Sequence, residues 1–158
     1  MIGLPDSVRN LSLENCDKLE NLIGCPGSVE NISLQRLKKF SSLKGCPAQL
    51  NNLLIHNCNK LKSLKYISPL IKGDFIVMYT GLVDLSNGPK EVGGDYYYYC
   101  NSNEMKHLNA QDTVMTGHNK RFYCNLAHNQ SKLHRDMYIE NVLKKELPKM
   151  NKYIEVNL

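Results

Sequence analysis

A repeat of 21 residues constrains the fold of this chain more than any other feature of its sequence. Three segments align without gaps and begin at Val8, Val29 and Leu50. A fourth begins at Ile71 and a fifth at Val92, so each start follows the previous one by 21 residues. Repeats of this length fold into stacked coils, because a single unit cannot bury its own apolar side chains and must bury them against its neighbours.

Apolar residues recur at fixed positions inside this period. Each of the first three units opens with an alternating apolar pair, and a second pair, separated by two residues, follows in each of the first four. The alternating pairs are Leu11/Leu13, Ile32/Leu34 and Leu53/Ile55, and the later pairs are Leu19/Leu22, Phe40/Leu43, Leu61/Leu64 and Leu82/Leu85. Alternation predicts a short strand with one buried face, and the later pair predicts a tight turn or 3₁₀-like return. Stacked units of this kind predict a solenoid with a parallel sheet along one face.

The signature L-x-x-L-x-L-x-x-C/N-x-L at these positions resembles leucine-rich repeats, and the resemblance covers roughly residues 3–108. The later segment LVDLSNGPKEVGGDYYYYCNSN is similar to repeats found in uncharacterised proteins of tailed bacteriophages. The matching residues are Leu82, Leu85, Pro89, Lys90, Val92, Gly93, Gly94 and Cys100. RFYCNLAHNQ, residues 121–130, resembles the strand of one more such repeat. The resemblance implies a leucine-rich-repeat fold, a bacteriophage origin and no catalytic residue.

The repeat pattern divides the chain into three parts. Residues 1–108 are the leucine-rich-repeat array, residues 109–130 are an irregular insertion or a last partial coil, and residues 131–158 are a C-terminal capping helix and tail. Helical spacing of the apolar residues, with Ser131 as N-cap and Pro148 as stop, predicts that helix. We therefore expect an α/β fold: a leucine-rich-repeat-like solenoid of about five 21-residue coils, with a parallel sheet on one face and a helical cap.

Four consecutive tyrosines, Tyr96–Tyr99, follow a double glycine and belong to the predicted strand of the fifth coil. Cys100 matches the inward cysteine of the phage-type repeat, so strand alternation predicts Tyr98 inward and Tyr97 and Tyr99 outward. Along the outward positions the sequence changes from polar in the first two coils to apolar and aromatic in the fourth and fifth. An exposed patch of this kind is typical of protein interfaces. The predicted protein-binding residues are Leu54, His56, Ile76, Met78, Tyr97 and Tyr99.

The ends of the solenoid offer alternatives for this patch. The C-terminal segment could fold over the tyrosines as an intramolecular cap, because the last coil of a solenoid has an apolar edge that needs a cover. The first coil starts within the unit, at GLPDSV, and leaves an edge that a second copy or a partner could cover. A homo-oligomer formed through the solenoid ends is therefore also an expectation.

Composition and charge narrow the classes of partner. The formal net charge is +5, and the basic residues look scattered along the chain, so nucleic acid is an unlikely partner. No apolar run is long enough to span a membrane, and no secretory signal opens the chain. The six cysteines fit no zinc spacing, and no cofactor is expected. These features predict reduced thiols and a cytoplasmic location, which is the host cell cytoplasm if a phage encodes the chain.

Polar residues in the repeat columns are better explained by packing than by chemistry. Cys16 and Cys58 share a column with a leucine, as expected of cysteines that act as small apolar residues. Cys25 and Cys46 share another column, and stacking brings them near each other. The column Asn10, Asn31 and Asn52 predicts a ladder of side-chain hydrogen bonds along the sheet.

The favoured function is a non-enzymatic protein–protein interaction module, in the phage setting one that binds and inhibits a host defence protein. One alternative is a nucleic-acid-associated protein that uses the tyrosines as stacking platforms. Another is a small enzyme built on residues 109–134, where Cys124 and His128 are four residues apart. A nucleophilic pair would need a third group to orient the base, and the sequence identifies none.

Overall fold

The computed structural model describes residues 4–99, 113–115 and 122–125, and these ranges contain ten β-strands and no helix. The strands are β1 (Asn10–Glu14), β2 (Asn31–Gln35), β3 (Gln49–Leu50), β4 (Asn52–His56), β5 (Leu70–Ile71), β6 (Phe75–Met78), β7 (Glu91–Val92), β8 (Tyr96–Tyr99), β9 (Val114–Met115) and β10 (Phe122–Asn125). None of these ranges holds a helix with the length and apolar character needed to cross a membrane.

The strands form two parallel sheets, and successive coils add strands to them. The larger sheet has the order β1-β2-β4-β6-β8-β10, and the smaller has the order β3-β5-β7-β9. Pairing is parallel throughout both sheets, so the backbone hydrogen bonds of one coil are satisfied by the next coil. The result is a parallel β-solenoid of about four turns, in which each coil contacts mainly its neighbours.

The expected α/β class is wrong for the described residues, which are all-β. The return arcs, which begin directly after a large-sheet strand, span 15–27, 36–48, 57–69 and 79–90 in coils one to four. In coils two to four each arc ends at a short strand. The arc of coil three buries every third residue, at Cys58, Leu61, Leu64 and Ile67, whereas an amphipathic helix follows a period of 3.6. The arcs are instead built from tight turns, such as the one closed by Leu61 N–H donating to Cys58 O at 3.0 Å. Their apolar residues are therefore buried without a helix.

The C-terminal expectations fall largely outside the described residues. The predicted capping helix and tail, residues 131–158, lie wholly outside them. Strands β9 and β10 lie inside the segment 109–130. β9 extends the smaller sheet and β10 extends the larger one. The larger sheet thus continues beyond the tyrosine strand.

Each complete coil turns two corners with a left-handed backbone residue. The first corners are Asn15, Arg36, Asn57 and Tyr79, with φ between 51° and 55°, and the second are Gly24, Gly45, Tyr66 and Asn87, with φ between 57° and 95°. Glycine and asparagine adopt this conformation at low cost. At Gly45 an added Cβ would also collide with the backbone of Leu22 in the coil below. At Gly45 the second corner thus brings coils one and two into backbone contact.

The core is a stack of side-chain columns that receive one residue from each coil. Leu22, Leu43, Leu64 and Leu85 form one such column, and each is at most 1% exposed. The tyrosine strand continues the inner columns of the large sheet, because Phe75 pairs with Tyr96 and Val77 with Tyr98. All four of those side chains are buried, and the rings of Phe75 and Tyr96 lie 4.8 Å apart.

Coils four and five contain one extra residue before the large-sheet strand. Ile32 pairs with Leu53, 21 residues later, but Leu53 pairs with Phe75, 22 residues later. Gly73 and Gly94 precede the shifted strands, and a Cβ on either would collide with a side chain of the preceding coil. The arc of coil four has one residue fewer between its strand and the buried Leu82. The side-chain columns of the arcs therefore stay aligned despite the extra residue.

Candidate binding surface

The outward side chains of the large sheet form two rows that run across the coils. The first row is Ser12, Ser33, Leu54, Ile76 and Tyr97, and the second is Glu14, Gln35, His56, Met78 and Tyr99. Residues in register on neighbouring parallel strands lie about 4.8 Å apart, so each row is continuous. The six residues predicted for protein binding are therefore adjacent along these two rows.

Burial changes along the rows. Ser12 and Glu14 are exposed in coil one, whereas the members of both rows from Ser33 to Tyr97 and from Gln35 to Met78 are half-buried. The half-buried apolar and aromatic members, which we call the apolar patch, are Leu54, His56, Ile76, Met78 and Tyr97. Tyr97 is half-buried and Tyr98 is buried, so the register predicted for the tyrosine run is confirmed at these two positions. Tyr99 pairs with Met78 through the backbone, and its side chain lies outside the described part of the structure.

Tyr79 adds an aromatic ring to the edge of the apolar patch. Its ring meets that of His56 edge to face, with centroids 5.6 Å apart and planes at 62°. Such aromatic pairs contribute stabilising free energy in addition to that of the apolar area they bury. Sequence analysis missed Tyr79 because it stands directly after β6, at the corner where the equivalent residues are polar. Its signal was the FIVMY run, in which an aromatic residue replaces the usual asparagine or arginine.

A shallow groove of about 460 Å³ runs along the N-terminal ends of the same strands. Ser12, Ser33, Leu54 and Ile76 line it from the first row, and Asn10, Asn31, Asn52 and Asp74 line its edge. Since Leu54 and Ile76 belong to both features, the groove opens directly onto the apolar patch. A side chain from a partner that lies on the patch can therefore also enter the groove.

A hydrogen-bond ladder forms the edge of this groove, as the asparagine column predicts. Asn31 Nδ2 donates to Asn10 Oδ1 at 2.8 Å, and Asn52 Nδ2 donates to Asn31 Oδ1 at 2.9 Å. The ladder continues into the shifted coils by another chemistry: Asn52 Oδ1 accepts the backbone N–H of Asp74, and Asp74 Oδ1 accepts that of Asp95, both at 2.8 Å. The two aspartates were missed because the extra glycine moves them into the asparagine column. The repeated Gly-Asp pairs were the available signal.

The described cysteines are free thiols that belong to the packing of the arcs. Burial raises the pKa of the Cys46 thiol to about 11, and the nearby Cys25 adds to the rise. Burial also raises the pKa of Cys25 and of Cys58. A thiolate is the reactive form of cysteine, so these groups are poor nucleophiles at neutral pH.

The sequence offers two further candidates for chemistry, a metal site and the Cys124–His128 pair. Across residues 4–99, 113–115 and 122–125, no group of three or more His, Cys, Asp or Glu side chains could hold a metal ion. Cys124 pairs with Tyr98 through the backbone of β10, but its side chain and the whole of His128 lie outside the described residues. On the large sheet, the apolar patch offers contact area and the ladder offers hydrogen-bond groups.

Comparisons of the chain with family models, with curated proteins and with solved structures found no match.

Proposed function

We propose that this chain is a non-enzymatic protein-binding module whose partner docks on the apolar patch. The observation that carries the proposal is the register of β4, β6 and β8, which puts Leu54, Ile76 and Tyr97 side by side. His56 and Met78 lie directly beside them in the second row. A continuous apolar and aromatic surface on a rigid sheet is typical of the centre of a protein interface.

The other end of the same face supplies the polar rim that such a centre requires. Ser12, Glu14, Ser33 and Gln35 occupy the two rows in coils one and two. Protein interfaces commonly combine an apolar centre with a polar, solvent-accessible rim. The groove between the ladder and the first row would receive a single projecting side chain of the partner, which would fix its position along the array.

The biological setting is proposed from the sequence resemblance alone. Repeats similar to those of tailed-bacteriophage proteins favour an infected bacterial cell, with the chain in the host cytoplasm. The partner would then be a host factor, and a defence protein that the phage must inhibit is the favoured kind. Fold resemblance does not determine function, so the partner has to be identified by capture.

Self-association through the solenoid ends is a second way to use the same scaffold. β1 pairs with β2, and its other edge has no pairing strand within the described residues. An open edge presents unpaired backbone groups that can accept a strand from another chain. A homo-oligomer formed at this edge would leave the apolar patch available for the partner.

The test is capture from nuclease-treated bacterial lysate with the tagged full chain, followed by titration of the purified partner. The variant Ile76→Ser/Tyr97→Ala removes the middle of the apolar patch. Its matched control, Ser12→Ala/Ser33→Ala, changes the same row at its polar end. We expect the first to weaken binding at least tenfold, as for centrally placed interface residues, and the control to leave it within about threefold.

Circular dichroism of each variant establishes that it is folded before binding is compared. If a captured protein binds both variants equally well, the apolar patch is not its docking site. If the chain retains no protein and the double variant is as stable as the parent, the proposed function is wrong.

A further inference from the structure

The positive charge of the described chain is concentrated in one segment of 30 residues, 36–65. This segment holds seven basic residues and no acidic one: Arg36, Lys38, Lys39, Lys44, Lys60, Lys62 and Lys65. The other described residues hold nine acidic and four basic side chains. Within the described residues the basic side chains are thus segregated, which differs there from the scattered distribution expected for the chain.

The fold concentrates these charges further, onto the return arcs of coils two and three. The strand segment between the two arcs, residues 49–56, carries no lysine or arginine, and all seven basic residues of the arcs are exposed. Lys39 and Lys60 occupy equivalent positions in adjacent coils, as do Lys44 and Lys65. Equivalent residues in adjacent coils are about 5 Å apart at the backbone, so the arcs form a basic surface two coils wide. We call it the lysine surface.

Part of this charge is balanced by acidic residues of coil one. Lys38 Nζ lies 2.9 Å from Asp17 Oδ2, and Arg36 forms an ion pair with Glu14. Both acids belong to coil one. Lysines stacked on lysines repel one another, so the arrangement does not contribute to the stability of the coils. A surface of this kind is instead suited to a polyanion, whose charge removes the repulsion.

An exposed aromatic ring stands within the lysine surface at a position where the backbone disfavours it. Tyr66 is 53% exposed and has a φ of 71°, in the column otherwise held by Gly24, Gly45 and Asn87. Left-handed backbone is costly for a bulky residue, so local stability does not explain a tyrosine here. The Nζ of Lys65 lies 5.1 Å from the centre of its ring, which places a charge and an aromatic face together.

We propose that the arcs of coils two and three bind single-stranded nucleic acid, with phosphates on the lysines and an unpaired base stacked on Tyr66. Proteins that bind single strands without sequence preference combine a basic track with exposed aromatic rings. Lysine is a point charge that suits phosphate, and the ring gives any base a stacking face. This site lies on the return arcs and not on the sheet, so it is independent of the apolar patch and of its protein partner.

The first test measures fluorescence anisotropy of a labelled oligothymidylate titrated with the full chain at several salt concentrations. Each phosphate contact contributes about −0.7 to the slope of log K against log salt for single strands. Four to five contacts therefore predict a slope of about −3. The variant Lys39→Glu/Lys60→Glu reverses two neighbouring charges and should weaken binding at least tenfold.

A matched control reverses two exposed lysines away from the lysine surface. Lys72→Glu/Lys90→Glu changes the net charge by the same amount, and binding should stay within about twofold. An equal loss in both variants would mean diffuse attraction to the whole chain and would overturn the proposal. Competition by polyglutamate as effective as that by the oligonucleotide would identify an acidic protein as the occupant and would also overturn it.

Tyr66 provides a second test, in which oligonucleotide affinity and thermal stability are expected to change in opposite directions. Tyr66→Gly should weaken oligonucleotide binding about tenfold through the lost stacking face, while raising the melting temperature because glycine relieves the corner. Tyr66→Phe keeps the ring and should bind as the parent does. If Tyr66→Gly binds as tightly as the parent, or if duplex DNA of equal charge binds as well as the single strand, base stacking on Tyr66 is excluded.

Discussion

Coils one to three and coils four to five continue the same sheets, ladder and core with different residues and spacing. The first three keep a strict spacing of 21 residues and carry asparagines in the ladder. The later coils add a glycine before the strand, carry aspartates in the ladder and fill the core with Phe75, Tyr96 and Tyr98. The difference shows that the solenoid backbone accommodates one inserted residue per coil. The altered residues of coils four and five lie beside the proposed protein-binding surface.

The largest expected effect comes from removing one buried aromatic residue from each set of coils, which tests whether both belong to one cooperative core. Phe40 in coil two and Phe75 in coil four are both fully buried. We expect Phe40→Ala and Phe75→Ala each to lower the free energy of unfolding by about 3–5 kcal/mol, because both leave a large cavity. Urea unfolding followed by circular dichroism measures this. If Phe75→Ala costs less than about 1 kcal/mol, the shifted coils are not part of the cooperative core.

The alkaline behaviour of Cys46 tests the regular coils alone. Its pKa of about 11 in the folded chain exceeds the ordinary value of 9.0, so folding favours the neutral thiol. This contribution is complete below pH 9 and is lost as the pH rises towards 11, by about 2–3 kcal/mol in total. Urea unfolding at a series of pH values should show the loss in the parent chain. The Cys46→Ala variant should lack this component, and identical pH profiles for both chains would contradict the prediction.

The close approach at the shifted coils predicts that glycine is required there. A Cβ at Gly93 would collide with the carbonyl oxygen of Lys72 in the preceding coil, whereas one at Gly27 meets nothing within 4 Å. We expect Gly93→Ala to destabilise the chain by about 2 kcal/mol, through overpacking against backbone that cannot move aside easily. Thermal unfolding of Gly93→Ala and Gly27→Ala should separate them. Equal melting temperatures would show that the shifted coils move apart freely.

The smallest expected effect has the opposite sign. Thr80 follows the first corner of coil four, in the column of Cys16, Leu37 and Cys58, and is 5% exposed. Its hydroxyl has no hydrogen-bond partner within the described residues. Thr80→Val should therefore stabilise the chain by about 1 kcal/mol, because it removes a buried polar group without a partner. A destabilised variant in urea unfolding would show that the hydroxyl is satisfied.

Sequence analysis predicted those features that depend on a constant spacing. The repeat identified the buried columns and the asparagine ladder, and alternation placed Tyr97 and Tyr98 on opposite faces. It failed where spacing changes or where stacking brings distant residues together. Asp74 and Asp95 enter the ladder only because Gly73 and Gly94 shift the strand, and the lysine surface forms only when two arcs 21 residues apart are superposed. The α/β class depended on the helix predicted for residues 131–158, which lie outside the described residues, whereas the tight turns predicted for the arcs are confirmed.

The open, unit-by-unit hydrogen bonding of the two sheets has a consequence for the gene as well as for the molecule. Because each coil contacts mainly its neighbours, a duplication or deletion of one whole unit changes contacts only at the new junction and leaves the other coils as they were. Unequal recombination within such a coding sequence therefore yields products that differ in length but already satisfy the packing rules. The array can thus lengthen or shorten a contact surface in single genetic steps, whereas a domain with one closed core would have to repack at each step.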